Sequence, residues 1–75
     1  MIRVRRLPSQ RFKRRWYEVQ FIEPNTLGPK WSKKTRTPIA EMEQVLGVGD
    51  AWAVLRAADR AWNGGLGDWV TLFGN

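Results

Sequence analysis

The chain of 75 residues contains no cysteine and no histidine. The first absence excludes a disulfide framework, a zinc knuckle, an iron–sulfur cluster and a thiol nucleophile. The second removes the commonest metal ligand and the side chain that titrates near neutral pH. The seven acidic residues are scattered and show no spacing of a calcium or magnesium loop. The sequence therefore predicts a protein that is not an enzyme and that needs no metal and no other cofactor.

Long apolar runs are also missing. No stretch approaches the roughly 18 apolar residues that a membrane span requires. No apolar segment follows the basic N-terminal residues, as it would in a signal peptide. We therefore expect a cytoplasmic, nucleoid-associated or nuclear protein with no membrane partner. Its 75 residues predict one domain, residues 1–75, close to the lower size limit for a core that is stable without disulfide bonds or a structural metal ion.

Positive charge is plentiful and unevenly distributed. The formal net charge is +6, from 13 Lys and Arg against 7 Asp and Glu. Residues 1–36 alone carry +9, whereas residues 37–75 carry −3. Such asymmetry indicates a polyanionic partner for the basic half, although a surface that merely keeps a small protein soluble would show excess charge too.

The basic half, residues 1–37, has the pattern of β-strands. Apolar and charged residues alternate over residues 2–5, and residues 7–10 predict a turn. The clearest strand covers residues 15–23, with Tyr17, Val19 and Phe21 on one face. A loop with two prolines follows, and then a third strand over residues 31–37. Short connections predict that the three strands form an antiparallel sheet.

The second half, residues 38–75, has the pattern of two short helices. Thr37-Pro38 is a start signal, and apolar residues at positions 39, 42, 45 and 46 follow at helical spacing until glycines 47 and 49. Asp50 is predicted to cap a second, alanine-rich helix that ends at residues 63–65. We expect its broad apolar face, with Trp52, Leu55 and Trp62, to pack into the core.

The run Trp69-Val70-Thr71-Leu72-Phe73 is apolar and β-prone. Leaving these large apolar side chains in water would cost about 1.5–3 kcal/mol each, so we expect the run to be packed. It would form a fourth strand or cover the helices, with Trp69 in the core. The predicted fold class is therefore α+β, with a three-stranded antiparallel sheet, an optional fourth strand and two helices.

Two groups of residues in the basic half are candidates for binding. The stretch at residues 11–16 would lie beside Arg3, Arg5 and Arg6, so that two rows of guanidinium groups repel each other unless an anion lies between them. Trp31 lies among four cations, a pattern that holds single-stranded nucleic acids. The predicted nucleic-acid contacts are Arg3, Arg5, Arg11, Lys13, Arg14, Trp16, Trp31, Lys33, Lys34 and Arg36.

Each group also has a plainer interpretation. The basic stretch would serve as a nuclear localisation signal or as a solvated surface, and the tryptophans would cover one face of a small sheet. On helix two, Arg56 and Arg60 are interpreted as a solvated edge. Glycines 64, 65 and 67 lack the Lys-Ser/Thr that a phosphate loop requires.

Three strands followed by a helix that opens with Thr37-Pro38-Ile39-Ala40-Glu41 resemble the arm-binding domains of some phage integrases, over about residues 12–46. The resemblance rests on element order, and implies a sheet that enters a DNA groove. The second helix and the Trp69–Phe73 run depart from it. Size and charge also resemble small phage regulators that bind a host polymerase or nuclease. Neither likeness carries a motif that assigns a family.

The leading prediction is a small, non-enzymatic protein that binds DNA or RNA through a basic, tryptophan-containing sheet. The alternative is a regulatory or inhibitory protein that docks on an acidic surface of a nucleic-acid enzyme such as RNA polymerase or a nuclease. A subunit of a ribonucleoprotein would also fit the charge, without a supporting motif.

Overall fold

The computed structural model of the chain describes residues 1–8, 14–44, 47 and 49–72. Within these residues there are six elements, in the order β1 (Ile2–Arg6), β2 (Tyr17–Phe21), β3 (Trp31–Thr35), α1 (Pro38–Gln44), α2 (Ala51–Asn63) and β4 (Trp69–Leu72). All four strands form one antiparallel sheet. The predicted α+β class is confirmed. The predicted turn residues 9 and 10, and positions 45 and 46 of the first helix, lie outside the described residues.

The strand order in the sheet is β3-β2-β1-β4. Strand β1 is central, with Val4 opposite Val19 of β2 on one side and opposite Val70 of β4 on the other. The C-terminal run therefore supplies a fourth strand beside the first, which confirms one of the two predicted alternatives for it. Phe73, the last residue of that predicted run, is not among the described residues.

One face of the sheet carries the core. Alternation along the strands places Val4, Val19 and Leu72 on this face, and all three are buried. Helix α2 packs against β1 and β4, and α1 contacts β2 and α2. The buried apolar residues are Val4, Tyr17, Val19, Met42, Ala53, Val54, Ala57, Ala58, Ala61 and Leu72.

The prediction for the packed side of α2 was partly wrong. Trp52 is 70% exposed, whereas Ala61 is 1% exposed. Nine residues at 100° each separate the two by half a turn of the helical wheel, so that Trp52 points away from the sheet. The alanines and Val54 form a flat side that approaches the strands closely, and a tryptophan has no room there. Trp62 lies at the margin of this side and packs, partly buried, against the core.

The helix boundaries follow the expected signals. The carbonyl of Thr37 accepts the hydrogen bond of the Glu41 N–H at 3.2 Å, which begins α1. The Asp50 carboxylate accepts from the Ala53 N–H at 3.0 Å, so the predicted cap of α2 is confirmed. Gly67, with φ of +83°, turns the chain into β4 in a conformation that favours glycine.

Candidate nucleic-acid interface

The sheet face opposite the core, called the open face below, has polar side chains from all four strands. No described helix packs on it, because α1 and α2 both lie on the other side. Alternation and the strand register assign its residues: Arg3, Arg5, Glu18, Gln20, Ser32, Lys34, Trp69 and Thr71. The open face is therefore the part of the sheet available to a partner.

Arg3 and Arg5 are held against β2 by direct hydrogen bonds. Both Nε and Nη2 of Arg3 donate to Oε1 of Gln20, at 3.0 and 2.7 Å. Arg5 Nε donates to Oε1 of Glu18 at 2.7 Å, and the two side chains form an ion pair. The prediction that a second row of guanidinium groups lies beside Arg3 and Arg5 is thus wrong. Strand β1 faces an amide and a carboxylate instead, and no anion is needed to relieve repulsion.

Trp69 of β4 lies against both arginines. The guanidinium carbon of Arg3 is 3.9 Å from the centroid of the indole, and that of Arg5 is 4.5 Å away. These are cation–π contacts, each worth about 0.5–1 kcal/mol where the groups are exposed. The prediction that Trp69 belongs to the core is wrong, because the register places Trp69 opposite Arg5 on the open face.

Ser32 extends this network to the edge strand β3. Its hydroxyl donates to Oε2 of Glu18 at 3.2 Å and accepts from Nε2 of Gln20 at 3.4 Å. Glu18 and Gln20 are each only 9% exposed, although they lie on the face that no described helix covers. The guanidinium groups that bond to them therefore lie in fixed positions, which reduces the entropy lost when an anion binds.

A second basic group lies where β1 ends, β2 begins and β3 ends. We call it the basic end, and it consists of Arg6, Arg14, Arg15 and Arg36. Arg6 and Arg15 both lie over the ring of Trp62, at 3.9 and 5.2 Å from its centroid. Arg6 Nη1 also donates to the Trp62 carbonyl at 3.0 Å. Arg14 and Arg36 are exposed.

Arg15 is tied to the helix layer. Its Nη1 lies 3.1 Å from Oδ1 of Asp59. The pKa of Arg15 lies above its ordinary value, first because of the hydrogen bond with the Tyr17 side chain and further because of Asp59. The Nε–H of Arg6 is buried and finds no hydrogen-bond partner among the described residues.

The ten predicted contact residues do not share one surface. Arg3, Arg5 and Lys34 lie on the open face, and Arg14 and Arg36 lie at the basic end. Trp16 lies on the side of the open face as well, Trp31 and Lys33 lie on the helix side, and Arg11 and Lys13 lie outside the described residues.

Trp31 and Lys33 point to the helix side of the sheet, as the register requires. Trp31 packs against the core, which favours its plainer interpretation as a structural residue. Lys33 Nζ lies 3.0 Å from the carboxylate of Glu41 on α1. The carbonyl of Trp16 accepts from the Leu7 N–H at 2.8 Å, which extends the ladder by one pair. Alternation then places Trp16, half-buried, on the open face.

The sequence-based prediction placed Trp69 and Trp62 in the core and did not include them in the candidate site, although arginines lie over both rings. The alternation of Trp69 and Thr71 with Val70 and Leu72 signals a strand with two unlike faces. It does not say which face meets the helices, because that depends on the pairing with β1.

A groove between α1 and α2 opens on the helix side of the molecule, with a volume of about 450 Å³. Its lining includes the apolar residues Ile39, Leu55 and Ala58 and the cations Arg15 and Arg36. The groove thus reaches the basic end from the other side of the sheet.

No group of three or more potential metal ligands exists among residues 1–8, 14–44, 47 and 49–72. Within the same ranges, no helix has the length and apolar character needed to cross a membrane. Comparison with models of protein families, with curated proteins and with solved structures found no match.

Proposed function

We propose that the protein binds nucleic acid without catalysing a reaction, and that the open face and the basic end contact the phosphate backbone. The observation that carries the proposal is the arrangement of Arg3 and Arg5, which are fixed between Trp69 and the polar side chains of β2 on a face that no described helix covers. Guanidinium groups held in this way keep donors free for phosphate oxygens.

The cations differ in how much charge they offer. The charge of Arg5 is largely offset by Glu18, and that of Arg15 by Asp59. Within the described part of the chain, Arg3, Lys34, Arg14 and Arg36 have no carboxylate within ion-pair distance. These four are therefore the principal phosphate contacts in the proposal. Trp16 rather than Trp31 is the ring proposed to stack on a base, because Trp31 packs against the core.

The proposal is tested by fluorescence anisotropy with labelled single-stranded and duplex oligonucleotides, between about 50 and about 300 mM salt. Four phosphate contacts predict a slope of log K against log salt of about −3 for a single strand and about −4 for a duplex. No binding at the lowest salt concentration, or an affinity that does not depend on salt concentration, would overturn the proposal.

A matched pair of double variants separates specific contacts from net charge. Arg3→Gln with Lys34→Gln removes two positive charges from the open face, whereas Arg56→Gln with Arg60→Gln removes two from exposed positions on α2. On a single strand, we expect the first variant to make the slope of log K against log salt less steep by about 1.4, and the second to change it little. Equal effects would show that only the total charge matters and would contradict the assigned surface.

The alternative function, docking on a nucleic-acid enzyme, is favoured by one specific observation. Trp52 is 70% exposed on the outer side of α2, and the exposed Arg56 lies one turn further along the helix. Tryptophan and arginine are the residue types most enriched at the energetic centres of protein interfaces. Under this alternative, Trp52→Ala loses a nuclease-resistant partner in affinity capture from host lysate, whereas Arg3→Gln with Lys34→Gln retains it.

A further inference from the structure

The two edges of the sheet are unlike in charge. Strand β3 forms one edge, with Lys33 pointing to the helix side and Lys34 to the open face. Lysines on an edge strand discourage pairing with another strand. Strand β4 forms the other edge and consists of Trp69, Val70, Thr71 and Leu72, with no charge, proline or glycine.

Within the described part of the chain, strand β4 has a partner on one side only. Its inner side pairs with β1 from Arg5–Trp69 to Ile2–Leu72. No described strand pairs with its outer side. An uncharged edge of this kind presents unpaired backbone N–H and C=O groups, and such an edge is a template for a further strand.

We infer that β4 pairs antiparallel with β4 of a second copy of the chain, so that two sheets join into one of eight strands. The partner strand has to be apolar on the helix side and polar on the open face. Strand β4 meets that requirement itself, since Val70 and Leu72 lie on the helix side and Trp69 and Thr71 on the open face. A second copy also brings its own α2 to cover the apolar side.

A register keeps like faces together when the two-fold axis passes at a residue, and two such registers centre on the interior of β4. The two-fold axis passes either at Thr71, which then faces its own counterpart, or at Val70, which does the same on the other face. Both residues are β-branched, and such cross-strand pairs stabilise sheets.

Charge repulsion does not prevent this pairing. Two copies of β1, with Arg3 and Arg5, would be separated by three strand spacings, or about 14 Å. That distance exceeds the Debye length of about 8 Å at physiological ionic strength, so the repulsion between the exposed arginines is largely screened. By contrast, pairing through β3 with the two-fold axis at Lys33 or at Lys34 would bring that lysine directly beside its counterpart.

Association is measured by sedimentation equilibrium from about 10 to about 500 µM, because dimer formation depends on protomer concentration. We expect the wild-type chain to dimerise in this range. Thr71→Lys puts a charge on the β4 edge and is expected to give a monomer. Ser32→Lys makes a similar change on the same face of the β3 edge and is expected to remain a dimer. Circular dichroism of each variant establishes that it is folded.

The absence of cysteine from the chain allows a second, geometric test. Directly opposed residues of an antiparallel pair have Cα atoms about 4.5–5.5 Å apart, within the range that a disulfide spans. Under mild oxidation, Thr71→Cys or Val70→Cys, according to the register, should form a covalent dimer, whereas Ser32→Cys should not.

A wild-type monomer at the highest concentration overturns the inference, as does a Thr71→Lys dimer or equal crosslinking at all three positions. The inference stands apart from the proposed function, because neither test includes nucleic acid. Only its consequence depends on that function: the dimer would carry two clusters of Arg3, Arg5 and Trp69 on one continuous face and bind nucleic acid bivalently.

Discussion

The orientation of α2 makes a sharp prediction about stability. Trp52 and Val54 are two residues apart and therefore about 200° apart around the helix axis. Trp52 is 70% exposed, whereas Val54 is completely buried. Replacing each residue by alanine therefore tests directly which side of α2 meets the sheet.

The expected losses follow from burial. About 30% of the tryptophan surface is shielded in the fold, or roughly 60 Å², which corresponds to at most about 1.5 kcal/mol. The higher helix propensity of alanine offsets about 0.5 kcal/mol of this loss in the free energy of unfolding. We therefore expect Trp52→Ala to lower the free energy of unfolding by about 1 kcal/mol or less. A tryptophan in the core would cost about 3–5 kcal/mol when replaced by alanine.

Val54→Ala should behave in the opposite way. Removing two buried carbon atoms costs about 1.6 kcal/mol in transfer free energy, and the cavity left behind adds to this. A domain of 75 residues is expected to have a total stability of about 4–11 kcal/mol. The loss should therefore be plain in urea unfolding followed by circular dichroism. If Trp52→Ala costs about 3 kcal/mol or more, or clearly more than Val54→Ala, the assignment of the packed side is refuted.

Two further predictions concern single hydrogen bonds. Asp50→Ala removes the cap of α2 and should lower the free energy of unfolding by about 1 kcal/mol, while Asp50→Ser largely preserves it; equal stability of the two variants in urea would contradict the capping role. Arg5→Gln leaves the nearly buried carboxylate of Glu18 without its cation and should cost about 1–2 kcal/mol, whereas the double variant with Glu18→Gln should recover part of that loss. The same unfolding assay measures both single variants and the double variant as a double-mutant cycle. If the losses of the two single variants simply add, Arg5 and Glu18 do not stabilise each other and the prediction is contradicted.

The local structure was largely predictable because its signals are local. Alternation marked β1 and β2, and Asp50 marked the start of α2. The packed side of α2 was not predictable in the same way. Hydrophobic patterning weights Trp52 above Ala61, but a helix close to a sheet needs small side chains at the contact, and the larger residues are displaced to the margin or to the solvent.

The candidate site was less predictable, because it depends on strand register. Arg3 faces Gln20 and Arg5 faces Glu18, whereas a shift of one residue would turn every side chain of β1 to the other face. The connection between β1 and β2 is ten residues long, so no tight turn determines the pairing from sequence. The partnership of Trp69 with β1 depends on contacts across more than 60 positions of the chain.

The charge pattern acquires a different meaning in the folded chain. By sequence, residues 1–36 are basic and residues 37–75 mildly acidic, as if a basic sheet lay beside acidic helices. In the fold, Glu41 pairs with Lys33 and Asp59 with Arg15, so the helices neutralise cations on their own side of the sheet. The positive charge left on the strands then lies mainly on the open face and at the basic end.

This redistribution changes the argument for a polyanionic partner. Repulsion between neighbouring arginine rows would have made the sheet depend on a bound anion. Because Arg3 and Arg5 are instead held by Gln20, Glu18 and Trp69, the face is satisfied without one. An anion that binds on this face would meet donors that are already oriented and would have to displace only water and counterions.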